Sequence, residues 1–339
     1  MTPLAAQRDL LVGVDVGGSK IAVLVAGPAL GVRGRFALPT EVGSQEQAAD
    51  VIGDAVGAAL GDAGAALDRV AAVGIGVPGR VDPVSGTVSL AVNLGWNELP
   101  LGPQVEARLG TPVRLENDVR AAAYGLYERR VLGDVADLAY LSVGTGVAAG
   151  IVLDGRLHRG ARGLAGEVGH IVVDPAGPPC PCGLRGCLEV LAAGPAVAMR
   201  AATALREGRP SSLPSADLTA ADVYAAAAAG DPLGSEIAAD VGAHIARAVH
   251  LLVMAYDVEV VVLGGGVAGA GDAFLDPILR ALDRLREASA LAREVLRPGV
   301  IHLLPAGSEA GAWGAVALAR SAASGDRPSP VAGREVGDA

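Results

Sequence analysis

Aromatic side chains and cysteines are scarce in this sequence. Among 339 residues there are two Phe, two Trp, five Tyr and three Cys. Because aromatics make up only 3% of the chain, a core has to be packed from Ala, Val and Leu, and the 48 glycines indicate many close backbone approaches. Three cysteines exclude a disulfide framework and favour a metal site or reduced thiols in the cytoplasm. The formal net charge of −10 argues against a surface that coats nucleic acid.

Export and membrane signals are also missing. Residues 1–8 lack the charged start, apolar core and cleavage site of an export signal. The uncharged run Leu138–Leu153 is shorter than a membrane span and contains three glycines, which predicts a buried strand–turn–strand. We therefore expect a cytoplasmic protein without a membrane partner.

The two halves of the chain begin alike, each with a strand, a glycine turn and a second strand. These strands are predicted at Leu10–Val16, Lys20–Ala26, Leu138–Val143 and Val147–Leu153. Helices are predicted at, among other places, Gln45–Leu60, Val119–Arg130 and Leu188–Arg206. This pattern predicts two α/β domains with a ligand cleft between them. We place a smaller domain at residues 1–118, completed by a helix at 308–321, a larger domain at 119–307, and a disordered tail at 323–339.

Two glycine turns, one in each half, are candidate phosphate-binding sites. The first is Gly17-Gly18-Ser19-Lys20, with Asp15 at the end of the preceding strand, and the second is Gly144-Thr145-Gly146. Turns without Cβ atoms let backbone N–H groups approach an anion, and Asp15 is placed to hold a magnesium ion. An ordinary hairpin turn is the alternative in each case. A Walker A loop is excluded, because its Gly-x4-Gly-Lys-Ser/Thr spacing is absent.

Two Gly-x-Gly-x-x-Gly matches invite a dinucleotide-binding interpretation. Gly74–Gly79 follows a predicted strand, but Pro78 excludes the helix that this motif requires. Gly264–Gly269 also follows a strand, yet no βαβ unit with a suitably spaced acidic residue comes after it. The segment Gly264-Gly265-Gly266 is better interpreted as a turn that faces an adenosine.

All three cysteines lie in one short stretch that begins at Cys180, continues with Cys182 and ends at Cys187. His170 lies shortly upstream. Three thiolates and one imidazole make a closed tetrahedral zinc site, which would hold the loop 170–187 in place rather than activate water. A redox pair of cysteines and inert thiols are the alternatives.

Polar residues interrupt apolar or glycine-rich stretches at several positions. They include Asn93, Asn117, Asp118, Glu167, His170 and Glu189. Carboxylates and amides without a cationic cluster suit the hydroxyls of a neutral polyol. Asp118, between a strand and a helix, is either an N-cap or a general base that takes a proton from a hydroxyl. Glu189 has a helix cap as its alternative, and Asn93 a plain turn residue.

Together these motifs resemble the ROK family of bacterial repressors and sugar kinases, in particular its glucokinase-like members. The resemblance runs from Val14 to about Leu318, and its most specific part is the zinc signature, Gly166–His170 with Cys180–Glu189. The other matching segments are Asp15–Lys20, Val73–Gly79, Asn93–Trp96, Glu116–Asp118, Gly144–Gly146 and Gly264–Gly266. Two details differ from the family pattern: Ser19 replaces a more common Thr, and Ala148-Ala149 stand where glycines often follow the second turn.

This resemblance implies the actin-like ATPase fold of the sugar kinases, in which two α/β domains close over sugar and ATP. It implies phosphorylation of glucose at the 6-hydroxyl, with Asp118 as general base and with Mg²⁺ and a structural Zn²⁺ as metals. The implied sugar ligands are Gly79, Asn93, Asn117, Asp118, Glu167, His170 and Glu189. The implied ATP and magnesium residues are Asp15, Gly17, Gly18, Ser19, Lys20, Gly144, Thr145, Gly146, Gly264, Gly265 and Gly266. The implied zinc ligands are His170, Cys180, Cys182 and Cys187.

Other functions within the same family remain open at this point. The same hydroxyl ligands serve kinases of N-acetylmannosamine, N-acetylglucosamine, fructose or allose, and a sugar sensor would keep the sugar side without phosphoryl transfer. A repressor is disfavoured, because the first phosphate motif begins at Asp15 and leaves no room for a preceding helix-turn-helix domain. The resemblance further implies that the protein is a homodimer or homotetramer. It also implies that the protein binds a hexose and not a nucleic acid.

Overall fold

A computed structural model of the chain describes residues 8–40 and 45–326. These residues fold as two compact units. Unit 1 comprises the described residues up to 134, together with 156–165 and 309–326, and unit 2 comprises 135–155 and 166–308. The tail predicted at 323–339 lies outside the described residues from 327 onwards, and its first residue, Ala323, is the last residue of a helix.

The described residues form thirteen strands and ten α-helices. The strands are β1 (Leu10–Val16), β2 (Lys20–Ala26), β3 (Val32–Pro39), β4 (Val70–Val77), β5 (Arg80–Asp82), β6 (Thr87–Ala91), β7 (Trp96–Leu99), β8 (Val113–Asn117), β9 (Leu138–Val143), β10 (Val147–Leu153), β11 (Arg156–His158), β12 (Val260–Gly264) and β13 (Ile301–Leu303). The α-helices are α1 (Ala48–Asp62), α2 (Leu101–Leu109), α3 (Asp118–Glu128), α4 (Glu189–Ala192), α5 (Gly194–Arg206), α6 (Ala220–Ala228), α7 (Pro232–Tyr256), α8 (Asp272–Ala288), α9 (Ala290–Val295) and α10 (Ala310–Ala323). Short 3-10 turns include Val92–Leu94 and Val168–His170.

The main sheet of unit 1 has five strands in the order β3-β2-β1-β4-β8. The β1–β2 and β2–β3 pairs are antiparallel, whereas β1–β4 and β4–β8 are parallel. Successive residues of β1 point to opposite faces, so that Val12 packs in a core that includes Ile52 of α1, while Leu11 packs with Trp313 of α10. Because the carboxyl ends of parallel strands meet at one edge of a sheet, the ends of β1, β4 and β8 lie side by side.

Helix α10 contacts β1 and β4 at two glycines. A Cβ atom on Gly13 would lie 2.4 Å from the carbonyl oxygen of Ala312, and one on Gly74 would lie 1.9 Å from that of Ala315. Only glycine leaves room for the helix backbone at these positions. The first Gly-x-Gly-x-x-Gly match therefore serves helix–sheet packing at Gly74, which accounts for the motif without a dinucleotide.

A second, smaller sheet of unit 1 has the order β5-β6-β7, with both pairs antiparallel. Trp96 at the start of β7 is buried in the same core as α1 and α2. Trp313 of α10 is buried as well. Both tryptophans therefore serve packing.

The sheet of unit 2 contains β10, β9, β12 and β13 in that order. The β9–β10 hairpin is antiparallel, and the β9–β12 and β12–β13 pairs are parallel. The strand–turn–strand predicted for Leu138–Leu153 is thus confirmed with its predicted bounds. Each unit begins with an antiparallel hairpin whose first strand then pairs in parallel with a later strand.

Helix α7 is the core helix of unit 2. Its 25 residues are long and apolar enough to cross a membrane by length and composition alone, the one helix of this kind among the described residues. Within its apolar window, however, 56% of the residues are buried in the unit. Ile237, Val241, Ile245 and Val249 on one side of the helix are fully buried in the main core of unit 2, as expected of a helix that packs inside a globular unit.

The first turn of α7 is capped by Asp231. Its Oδ1 accepts the N–H of Gly234 at 2.9 Å, and its Oδ2 accepts the N–H of Ser212 at 2.7 Å. The hydroxyls of Ser211 and Ser212 donate to the same carboxylate at 3.0 Å. The N–H of Gly234 and then that of Ser212 hold the pKa of the Asp231 carboxyl well below its usual range. The carboxylate therefore joins the helix start to the preceding loop.

An Asp231→Asn variant is expected to lose about 1–2 kcal/mol of unfolding free energy at pH 7, the usual cost of a weakened N-cap. Because the folded pKa is depressed, the carboxylate stabilises the fold above the unfolded pKa of about 4, and this contribution is lost progressively as the pH falls from there toward the depressed folded pKa. Urea unfolding at pH 7 and at about pH 2.5 tests both points, because little of the contribution is lost until the pH lies well below the unfolded pKa. Asp217→Asn, in the same region but exposed, serves as the matched control. If Asp231→Asn lowered the unfolding free energy equally at both pH values, the stabilising role given to the Asp231 carboxylate would be contradicted.

Candidate active site

The first glycine turn closes the β1–β2 hairpin. The N–H of Gly17 donates to the carbonyl oxygen of Lys20 at 2.9 Å, and Thr40 Oγ1 donates to the carbonyl oxygen of Gly17 at 2.7 Å. Gly18, Ser19 and Lys20 are exposed. The turn is thus held from behind while its tip remains accessible to an anion.

Two carboxylates of unit 1 lie near this turn, Asp15 at the end of β1 and Asp118 just after β8. Burial and the neighbouring Asp118 carboxylate raise the pKa of Asp15 to about 7. Gly311 of α10 packs directly on Asp15, since a Cβ there would lie 2.2 Å from Oδ2. Gly76 of β4 packs on Asp118 in the same way, since a Cβ on Gly76 would lie 3.3 Å from the Asp118 Cα. Two acidic oxygen donors in a desolvated place suit a hard cation such as Mg²⁺.

Asn117 connects the end of β8 to the start of α3. Its Oδ1 accepts the N–H of Arg120 at 3.1 Å, which makes Asn117 the N-cap, and its Nδ2 donates to the carbonyl oxygen of Gly79 at 3.1 Å. The structure thus brings Asn117 and Gly79 together.

The N-cap alternative for Asp118 is wrong, because Asp118 is the first residue of the helix. At this position its carboxylate is stabilised by the positive end of the helix dipole.

Asn93 lies in the 3-10 turn Val92–Leu94, between β6 and β7. Its side chain is exposed, whereas Leu94 and Trp96 beside it are buried. Gly79, at φ +95°, lies against the end of β6, where a Cβ would approach the carbonyl oxygen of Leu90 to 2.1 Å. The predicted sugar-side segments of unit 1 therefore come from the small sheet and from the end of β8.

The second glycine turn closes the β9–β10 hairpin of unit 2. The N–H of Gly144 donates to the carbonyl oxygen of Gly146 at 2.9 Å. Glu189 Oε2 accepts the N–H of Val147 at 3.0 Å, and a Cβ on Gly146 would lie 2.5 Å from the same oxygen. Glu189 begins α4, yet its carboxylate contacts the hairpin and not the helix end, so the cap alternative is wrong for this residue too.

The glycines at the end of β12 lie beside this turn. Gly265, at φ +89°, packs on the backbone of Val143, and a Cβ on Gly144 would lie 3.7 Å from the nitrogen of Gly266. Gly265 and Gly266 are exposed. The two predicted nucleotide-side segments of unit 2 thus form one surface. Of the two alanines that follow the turn, Ala149 is buried in the core of the unit, so its methyl group does not line that surface.

Glu167 precedes the 3-10 turn Val168–His170, which docks on β10 and ends at His170. The N–H of Ala149 donates to the carbonyl oxygen of Gly166 at 2.8 Å. A Cβ on Gly169 would lie 2.1 Å from the carbonyl oxygen of Val147 and 3.4 Å from Cβ of Glu189. The structure therefore places the turn that carries Glu167 and His170 next to Glu189, with Glu167 and His170 exposed.

The predicted metal ligands converge. One ligand atom from each of His170, Cys180, Cys182 and Cys187 lies within 4.8 Å of all the others. Cys180 Sγ is 3.7 Å from His170 Nδ1, and Cys182 Sγ is 3.6 Å from Cys187 Sγ. Tetrahedral zinc places such atoms roughly 3.5–3.8 Å apart, so the four side chains fit that ion. Since Nδ1 of His170 faces the sulfurs, its Nε2 is on the opposite side of the ring.

The comparison with known families decides where the chain belongs. Residues 11–322 match the ROK family. The chain belongs to the ROK family. The glucokinase of Streptomyces coelicolor is 35% identical over 338 residues, which cover 95% of this chain and 99% of that protein. The N-acetylmannosamine kinase of Citrobacter koseri is 33% identical over 266 residues, 77% of this chain and 84% of that protein.

A solved structure of the ROK family has the same fold. The ROK glucokinase from Streptomyces griseus, in complex with glucose and AMPPNP, superposes with a TM-score of 0.75 at 32% identity and covers 92% of this chain and 99% of that chain. The α/β sheets of the two units are thus those of the actin-like ATPase fold. This ROK protein has the fold that its motifs predicted.

Sequence reasoning gave no role to three charged residues of unit 1. Glu116 and Arg120 form a buried ion pair, and Arg159 forms a second one with Glu116. An acidic residue in a buried strand with an arginine four positions later is a signal for the first pair. The second pair has no sequence signal, because its residues are 43 positions apart.

Proposed function

We propose that this ROK protein is a glucokinase, which transfers the γ-phosphoryl group of ATP to the 6-hydroxyl of glucose. The chain is an ATP-dependent sugar kinase of the ROK family, in keeping with its relatives over nearly their whole length. The observation that carries the proposal is the pair of carboxylates Asp15 and Asp118, at the ends of β1 and β8 on either side of β4, beside an exposed glycine turn.

The proposed reaction needs one base. Asp118 accepts the proton of the 6-hydroxyl while the oxygen attacks the γ-phosphorus; the bond from that phosphorus to the β,γ-bridging oxygen breaks, and ADP leaves. Asp118 is half-buried at the start of α3, next to Asn117. Glucose 6-phosphate then carries the phosphoryl group, and the proton passes from Asp118 to water.

The phosphate chain is assigned to backbone turns. In unit 1 the turn consists of Gly17, whose N–H closes it, and of the exposed residues Gly18, Ser19 and Lys20, which offer N–H groups and one cation. In unit 2 the corresponding residues are Gly144, Thr145 and Gly146, with Gly264, Gly265 and Gly266 on the adenosine side. Asp15 would hold Mg²⁺, directly or through water, and the bound ion supplies positive charge for the phosphate oxygens.

The sugar is assigned to neutral and acidic oxygen and nitrogen atoms. The proposed ligands are Gly79, Asn93, Asn117, Asp118, Glu167, His170 and Glu189. Zn²⁺ would be held by His170, Cys180, Cys182 and Cys187, and it supplies no reaction step. Its proposed role is to fix the loop that ends two residues before Glu189, so that Glu189 and His170 face the sugar hydroxyls.

The alternative substrate is another hexose. The N-acetylmannosamine kinase relative supports this candidate, since it is nearly as similar to the chain as the glucokinase is. Kinases of N-acetylglucosamine, fructose or allose would use the same base and the same hydroxyl ligands.

A panel of sugars tests the substrate. Purified protein with Mg-ATP is expected to release ADP rapidly with glucose, and at least about tenfold more slowly with N-acetylmannosamine, N-acetylglucosamine, fructose or allose, because a site built on paired hydroxyls rejects altered ones. ADP release without any sugar is the control. Preference for an N-acetyl sugar would leave phosphoryl transfer as the reaction and refute glucose as the substrate. Glucose binding without ADP release would identify a sugar sensor and overturn the kinase.

A further inference from the structure

A buried carboxylate with no part in the proposed reaction lies one residue before Asn117. The side chain of Glu116 is 0% exposed, and that of Arg120 only 3%. Arg120 Nε donates to Glu116 Oε1 at 2.9 Å, and Arg159 Nε donates to Oε2 at 2.6 Å. The N–H of Asn117 donates to Oε1 at 2.9 Å. Both carboxylate oxygens thus accept hydrogen bonds from the surrounding chain.

The two arginines join parts of unit 1 that are distant in sequence. Arg159 belongs to the segment 156–165, which clusters with unit 1 although the chain before and after it belongs to unit 2. Arg120 Nη1 donates to the carbonyl oxygen of Gly163 in that segment at 2.7 Å. The stretch 159–163 is therefore fixed at both ends, once through Glu116 and once through Arg120.

Such an arrangement is a poor source of stability. Burying ions costs desolvation energy that their attraction repays only in part, so an apolar cluster of similar volume stabilises a fold as well or better. What the ion pairs add is a defined geometry, because the planar guanidinium groups allow few orientations. This geometry is centred on the peptide that leads into Asn117 and Asp118.

We propose that Glu116 is a positioning residue for the phosphoryl transfer. The carboxylate of Glu116 is held between Arg120 and Arg159. It fixes the backbone N–H of Asn117, and Asn117 in turn fixes the cap of α3 and the adjoining Asp118. Glu116 touches neither sugar nor phosphate. The inference rests on the proposed function in one respect, the roles given to Asn117 and Asp118. A displacement of about 1 Å at a reacting group can cost roughly 100-fold in rate.

Arg159→Gln is the main test variant, because it removes the outer ion pair and leaves the buried Glu116–Arg120 pair neutral. We expect kcat/KM for the sugar to fall roughly 10- to 100-fold, with both kcat and the sugar KM affected and the ATP KM changed less than about twofold. Arg159→Lys keeps the charge and should recover most of the loss. Glu116→Gln should match or exceed Arg159→Gln where it folds, as checked by circular dichroism.

Arg162→Gln is the matched control, since Arg162 lies exposed in the same segment. It should have wild-type kinetics. A purely structural role for the cluster predicts a different result: a lower melting temperature and fewer active molecules, with an unchanged sugar KM. That pattern in Arg159→Gln, or wild-type kinetics in a folded Glu116→Gln protein, would overturn the positioning role.

Hydrogen exchange separates this inference from the proposed function. Amides of Asn117 to Arg120 should exchange faster in Arg159→Gln than in the wild type or in Arg162→Gln, whether or not a sugar is phosphorylated. Unchanged exchange there would overturn the positioning role by itself. A wild-type protein that releases no ADP with any hexose would overturn the proposed function, and the exchange result would still decide whether Glu116 holds Asn117.

Discussion

An Asp118→Asn variant is expected to bind glucose nearly as well as the wild type and to turn over roughly 100- to 10,000-fold more slowly, the usual contribution of a general base. Asparagine has the same shape as aspartate, and the cap of α3 is unaffected because it is provided by Asn117. What is lost is the acceptor for the 6-hydroxyl proton. Calorimetric binding of glucose and steady-state ADP release measure the two quantities separately.

Asp134→Asn is the control for this variant, because the Asp134 side chain is 85% exposed in a surface ion pair. It should leave both glucose binding and turnover unchanged. Undiminished turnover in Asp118→Asn would refute the base assignment. Loss of glucose binding as large as the loss of turnover would instead make Asp118 a sugar ligand first and a base second.

Removal of zinc is expected to weaken glucose binding by roughly five- to 150-fold. The physical reason is preorganisation: without the ion, Glu189 and His170 have to be ordered by the sugar itself, at about 0.5–1.5 kcal/mol for each side chain. Chelation of the metal and the Cys187→Ser substitution should both cause this loss of glucose affinity, since Cys187 is a buried member of the cluster. Elemental analysis should find one zinc per wild-type chain, and added zinc should restore binding after chelation.

Arg185→Gln is the matched variant for the zinc experiment, because Arg185 is exposed in the same loop and offers no metal-binding atom to the cluster. It should retain both zinc and glucose affinity. Normal glucose affinity in a sample shown to be free of metal would refute the idea that the loop presents Glu189 and His170.

The parts of the fold that follow from local sequence were predictable. The β1–β2 and β9–β10 hairpins have their predicted bounds, because a glycine turn joins two apolar runs in each case. The helix predicted at Leu188–Arg206 is instead two helices, since Ala193 is extended and a new helix starts at Gly194 with Pro195 in its first turn. The small sheet β5-β6-β7 and helix α2 were missed. The three strands are short, and prolines and glycines interrupt this part of the chain.

The candidate site was predictable as a list of residue types but not as a set of contacts. The four metal ligands could be named because their spacing in the chain is itself a signal. The role of Asn117 as N-cap could not be separated from that of Asp118, since both residue types cap helices and they are adjacent. The ion pair of Glu116 with Arg159 depends on how the segment 156–165 returns to unit 1, and this is a property of the tertiary structure alone.

The packing of α10 against β1 and β4 has a consequence for biosynthesis. The face of the sheet that contains Leu11 and Ala72 is covered by Trp313, Val316 and Ala319. Between residue 134 and residue 309 the ribosome adds 309 − 134 = 175 residues, which takes roughly 10–35 s at common elongation rates. Throughout that interval the nascent chain exposes an apolar sheet face, while unit 2 becomes complete. The half of the enzyme that is translated first can therefore form its core against α1 early, but it is the last to have both faces of its sheet covered, and chaperone protection is most needed during this delay.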